Sequence, residues 1–114
     1  MNSNLNDYKK LLICGSRDWN NFDKISKILD NYNENTIIIH GGCKGADSIA
    51  GYLAKKKHMK VEIYKADWKK YGKGAGPIRN QMMIDEGKPD LCYAFHENIN
   101  NSKGTKDMIN RCKT

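Results

Sequence analysis

Four short apolar runs recur along the chain, and a stretch with apolar positions at helical spacing follows each. Lys10 to Cys14 (KLLIC), Thr36 to Ile39 (TIII), Lys60 to Tyr64 (KVEIY) and Leu91 to Phe95 (LCYAF) are β-branched or aromatic and bounded by Gly, Asn, Asp or Pro, which predicts strands. At least the first two lack polar alternation, as strands covered on both faces do. Phe22, Ile25, Ile28, Leu29 and Tyr32 share one helical face, and Ala46, Ile49, Ala50, Leu53 and Ala54 share another. A third helix is expected in GPIRNQMMIDEG, with Pro77 in the first helical position and Gly87 as the stop. A fourth is expected in TKDMINRCK, with Met108, Ile109 and Cys112 inward.

Strand and helix alternating at this spacing imply parallel strands joined by right-handed crossovers. The predicted fold class is therefore α/β: a Rossmann-like three-layer fold, with a four-stranded parallel sheet and helices on both faces. One domain is expected over residues 1–114, with residues 1–9 a polar N-terminal extension. In such a sheet all loops that follow strands emerge at one edge, where ligands bind. Here those loops read GSRDWNN, HGGCKGAD, KADWKKYGKGAG and HENINNSKGT.

Composition narrows the partners. The 114 residues, 39% of them hydrophobic, suffice for one core. Lys and Arg number 20 against 13 Asp and Glu, a net charge of +7, which favours anions: nucleotides, nucleic acid or acidic lipid. The four cysteines form no C-x-x-C pair and no cluster with His at ligand spacing, arguing against a zinc site and a disulfide framework. A cytoplasmic setting is expected. The start MNSNLNDYKK has no apolar h-region, and no run approaches the ~18 residues of a membrane span.

Three glycines crowd the turn HGGCKGAD. Between a strand and a helix, Gly41, Gly42, Lys44, Gly45, Ala46 and Asp47 can present backbone N–H groups to a phosphate, aided by the helix dipole. Each charge-assisted hydrogen bond contributes about 1.5–3 kcal/mol. The alternative is that the glycines only permit tight strand-to-helix packing. The turn is neither a full G-x-G-x-x-G nor a P-loop ending in G-K-[ST]. The last loop repeats the arrangement with Ser102, Lys103, Gly104 and Thr105, the last read as an N-cap.

GSRDW, HGGCKGADSIA, GPIRNQMM and AFH, followed by SKGTKDM, resemble the YspA-related (YAcAr) branch of the SLOG superfamily. That superfamily groups the Lonely Guy phosphoribohydrolases with the DNA-processing protein DprA. The resemblance spans roughly residues 10–110 and implies a Rossmann-like sheet that binds a nucleotide or a nucleotide-derived molecule, ADP-ribose-like ligands included. Arg79 matches the Arg of the Lonely Guy "RK" motif, with Asn80 in place of its Lys. Gly104 and Thr105 fit P-G-G-x-G-T-x-x-E, but Met108 stands at the position of the catalytic Glu. Asp107 lies about 100° away around the helix and does not simply replace it. The departure removes the carboxylate of N-glycosidic cleavage and leaves ligand binding intact.

Other candidates carry alternatives. Gly15, Ser16 and Arg17 follow the first strand, where the guanidinium can clamp a phosphate or simply face solvent. Trp19 and Trp68 either stack on a base or fill the core. Asp47 either favours its helix dipole or acts on a ribose or a proton. Lys44 and Lys103 neutralise a ligand or are solvated, and His96 stands where it can transfer a proton or bond a phosphate. His40 reads as a satisfied, half-buried side chain, and Cys43 as a thiol without a base partner. Three functions compete. The first is binding of a phosphorylated nucleoside-like small molecule as sensor, carrier or sink. The second is cleavage or transfer at the N-glycosidic bond of a nucleoside 5′-monophosphate, with Arg79 on the phosphate and Asp47 or Asp107 stabilising the oxocarbenium charge. The third is non-specific nucleic-acid binding. Open sheet edges lead us to expect a homodimer.

Overall fold

The computed structural model describes residues 9–98 and 102–113. Most of the expected N-terminal extension and residues 99–101 of the last polar loop lie outside them. Along the chain run β1 (Lys10–Gly15), α1 (Phe22–Leu29), β2 (Ile37–His40), α2 (Ala46–Lys56), β3 (Lys60–Ile63), α3 (Trp68–Tyr71), a 3-10 turn (Gly72–Gly74), α4 (Ala75–Asp85), β4 (Leu91–Phe95) and α5 (Lys103–Lys113).

The unbroken apolar run of β1 makes it the centre of the sheet. Its side chains alternate between two cores. Leu11 and Ile13 pack with Ile25 and Leu29 of α1 and with Ile49, Ala50 and Ala54 of α2. Leu12 and Cys14 pack on the other side with Met83 of α4 and Met108 of α5. Leu11, Leu12 and Ile13 are fully buried, each worth about 1.5–3 kcal/mol of transfer free energy. Helices thus cover both faces of a four-stranded parallel sheet ordered β3-β2-β1-β4, the expected α/β arrangement. From β1 the chain steps outward to β2 and β3, then crosses to the far side of β1 for β4. That reversal opens a crevice at the carboxyl ends of β1 and β4, where Gly15 pairs with Phe95.

Local chemistry adjusts the expected boundaries. α4 begins at Ala75, so Pro77 occupies the third helical position, still within the first turn, whose N–H groups lack intrahelical acceptors. α3 arises inside an expected loop because the Asp67 carboxylate caps it, accepting from the Lys70 amide at 3.1 Å. α5 begins two residues before Thr105, and its cap is Ser102, whose Oγ accepts from the Thr105 amide at 3.0 Å. Phe22, expected inward, is exposed and meets Tyr52 edge to face. Among the described residues no helix is long and apolar enough to cross a membrane.

Candidate functional site

A cavity of about 380 Å³ occupies the crevice. Gly15, Ser16, Arg17 and Asp18 after β1, Cys43 and Asp47 after β2, Arg79, Asn80 and Met83 of α4, and His96, Ser102, Lys103, Gly104, Thr105 and Met108 line it. Backbone contacts hold these loops together. The Ser16 amide donates to the Phe95 carbonyl at 2.8 Å, and the Ser16 carbonyl accepts from Ala46 at 3.1 Å. A Cβ on Gly15 would lie 2.1 Å from the Phe95 carbonyl oxygen, and one on Gly45 2.1 Å from that of Ser16. Side chains at either position would push the loops apart. Gly45, with φ of 76°, also needs the left-handed backbone.

The glycine turn is closed from within. Asp47 Oδ2 accepts from the Gly41 amide at 2.8 Å and from the Cys43 amide at 3.4 Å. The Gly42 amide donates to His40 Nδ1 at 3.0 Å. The Gly41 and Gly42 donors, expected to face an anion, are thus occupied by the protein, as is that of Cys43. Gly41 instead admits a cation: a Cβ there would stand 2.7 Å from Arg79 Nη1. That nitrogen donates to the Gly41 carbonyl at 2.6 Å and to the Tyr64 carbonyl at 3.5 Å, while Arg79 Nε donates to Asn80 Oδ1 at 2.9 Å. Arg79 is thus clamped at the cavity wall.

Burial pushes the Asp47 carboxyl up to about 6, against the pull of the Gly41 and Cys43 amides and of Arg79 and Arg17. Burial, with Lys55 adding to it, lowers His40 to about 4. The neutral ring accepts at Nδ1 and therefore carries its proton on Nε2. Gly51 makes room for that edge, since a Cβ there would lie 2.7 Å from Nε2.

On the opposite wall, α5 points its first turn at the cavity. Ser102 satisfies the Thr105 amide, while the Lys103 and Gly104 amides have no intrahelical acceptor. Among the described residues a Cβ on Gly104 would meet nothing within 4 Å, so these leave the helix start open to a ligand. His96 accepts from the Asn98 amide at 2.8 Å through Nδ1. Asp107 does not line the cavity. Its Oδ2 accepts from Asn80 Nδ2 at 3.0 Å and Arg111 Nε at 2.8 Å, and Arg111 Nη1 donates to Gln81 Oε1 at 2.7 Å. Burial works to raise the Asp107 carboxyl, but Arg111 and Asn80 outweigh it and hold it below the usual range.

A second groove of about 580 Å³ adjoins the cavity and shares Arg17, Asp18, Cys43 and Arg79 with it. Gly41, Gly42, Lys44, Lys65, Ala66 and Trp68 complete it. The two tryptophans part company. Trp68 is 54% exposed, whereas Trp19 packs on Phe95 with ring centroids 5.5 Å apart and donates to the Asn21 carbonyl. Gly45 and Ala46 line neither space and serve packing. Sequence reasoning passed over Asp18, Met83 and Lys65. Asp18 carried a signal, since it sits beside Arg17 in a loop that follows a strand.

Residues 9–71 match the YspA, cpYpsA-related SLOG family. The chain belongs to that family. The "Gene 61 protein" of Mycobacterium phage D29 is 34% identical over 110 residues, covering 89% of this chain and 86% of that protein. No solved structure matches the chain. Membership is compatible with a nucleotide-related ligand. The matched segment ends before α4, so Arg79, His96 and the α5 turn lie beyond it.

Proposed function

We propose that the protein binds a phosphorylated nucleoside or other nucleotide-derived small molecule, ADP-ribose-like ligands included, as a sensor, carrier or sink. One observation carries the reading: the open first turn of α5, Arg17 and Arg79 line the same cavity. The phosphate sits at α5, drawn by the Lys103 and Gly104 amides and the helix dipole. Arg79 faces it from α4, already oriented by its carbonyl and Asn80 contacts, so little conformational freedom is lost on binding. A cavity near 380 Å³ falls within the range of small-ligand pockets. Calorimetry with AMP, ADP-ribose and related nucleotides tests the reading. Binding that weakens tenfold or more in Arg79→Ala, by about 1.4 kcal/mol or more, supports it; absence of heat across the panel overturns it.

A second reading, N-glycosidic cleavage of nucleoside 5′-monophosphates, rests on the carboxyl of Asp47 at the cavity wall, which burial raises to about 6. Against it, Asp47 is engaged by two amides, Asp107 by Arg111 and Asn80, and the lining residue at the family's glutamate position is Met108. Incubation with nucleoside monophosphates followed by chromatography discriminates the two. Free base at a rate proportional to enzyme establishes cleavage.

A further inference from the structure

We infer that the groove beside the cavity holds a second nucleotide unit of the same ligand, so that the ligand class is a 5′-phosphorylated dinucleotide. This rests on the reading of the cavity as a phosphate site and extends it. The two spaces share Arg17, Asp18, Cys43 and Arg79, so a chain leaving the cavity passes the two guanidiniums before entering the groove. A phosphodiester at that rim meets both charges.

The groove itself has the parts that a base and its phosphate need. Trp68 offers a large exposed ring inside the groove, a face on which a base can stack. One corner of the ring rests against α4, since a Cβ on Gly76 would stand 3.6 Å from Trp68 Cη2. Asp67 caps α3 and fixes the residue bearing it. Lys65 is also placed: its stem lies over Gly42, where a Cβ would come within 3.1 Å of Cγ. Neither Lys44 nor Lys65 takes part in an ion pair among the described residues. A flat apolar face in one groove with two cations outside any ion pair fits a nucleobase with a phosphate beside it. The groove, at about 580 Å³, is roomier than the cavity, so it has space for a whole nucleotide unit.

The test compares pApA, a 5′-phosphorylated adenine dinucleotide, with AMP and with inorganic tripolyphosphate, which carries charge without a base. Calorimetry on the wild-type chain gives affinities. Fluorescence on Trp19→Phe, which leaves Trp68 as the sole indole, reports stacking directly. We expect pApA to bind about tenfold tighter than AMP or better, to quench Trp68 where AMP does not, and to fall to the affinity of AMP in Trp68→Ala. Lys65→Ala moves the same way. Equal affinity for AMP and pApA overturns the second subsite and leaves the phosphate site standing. Tripolyphosphate matching pApA also overturns it, since the groove then reads charge alone. If neither AMP nor pApA binds, the phosphate site and its extension fall together.

Discussion

Asp47 and His40 are buried in one turn and respond to pH in opposite senses. Asp47 rises to about 6 from an ordinary value near 3.8, so between those pH values the folded state holds a proton that the unfolded state has lost. Stability from this group is present at low pH and is lost as pH climbs through 6. His40 falls from 6.5 to about 4, so its neutral ring favours the folded state at high pH and the advantage is lost on acidification. The two contributions oppose each other across pH 4 to 6. Asp47→Asn keeps an oxygen for the Gly41 and Cys43 amides and removes one of the two titrations. Relative to wild type, this variant should gain on the order of 2 kcal/mol as pH rises from 4 to 6, read by urea unfolding at stepped pH. A flat difference contradicts the burial assignment. Thr36 makes a simpler case. Its Oγ1 is buried without a hydrogen-bond partner among the described residues. Thr36→Val should raise stability by about 1 kcal/mol in denaturant unfolding, since it removes a desolvated hydroxyl and conserves shape.

At the level of elements, the start of α5 separates stability from binding. Gly104 is exposed and helical, and among the described residues no close neighbour stands at its Cβ position. Gly104→Ala should therefore stabilise the free protein by about 0.5 kcal/mol through helix propensity, while its methyl occupies the approach to the helix start and weakens binding of AMP. Thermal unfolding and calorimetry on the one variant check both signs. Much of the scaffold behind this turn was legible in the sequence. β1 and β2 are continuous apolar runs that fit only strands covered on both sides, and Leu91–Phe95 coincides with its expected bounds. α3 was not legible, because four residues are too few for a hydrophobic period and Asp67 alone marks the start. The start of α5 was misplaced because Ser102 and Thr105 are both competent caps three residues apart. Arg17 and the Ser102–Thr105 turn could be placed at one edge by the alternation of strand and helix, and Arg79 by the resemblance to the "RK" motif. The commitment of the glycine-turn amides could not, since it depends on Asp47 reaching back six residues to Gly41. The fates of Trp19 and Trp68 depend on packing partners, which sequence spacing does not reveal.

At the scale of the whole molecule, the two outer strands are unequal edges. β3 carries Lys60 and Glu62 within its four residues, charges that oppose pairing with another sheet. β4 reads LCYAF, with no charge and no proline, and among the described residues it pairs only with β1. Leu91, at the start of that edge, is 44% exposed. An uncharged outer edge with an exposed leucine is a template for another strand, and a second copy of the chain presents the matching one. Antiparallel pairing of two β4 strands makes a closed dimer about a twofold axis and buries both edges at once. The net charge of +7 repels such a pair at long range, so association should strengthen with salt, opposite to the weakening expected for binding of an anionic ligand. Light scattering at micromolar concentration should give twice the 13.0 kDa chain mass, and Leu91→Lys should restore the single-chain mass with an unchanged circular dichroism spectrum. A wild-type mass of one chain at both low and high salt excludes the β4 pairing.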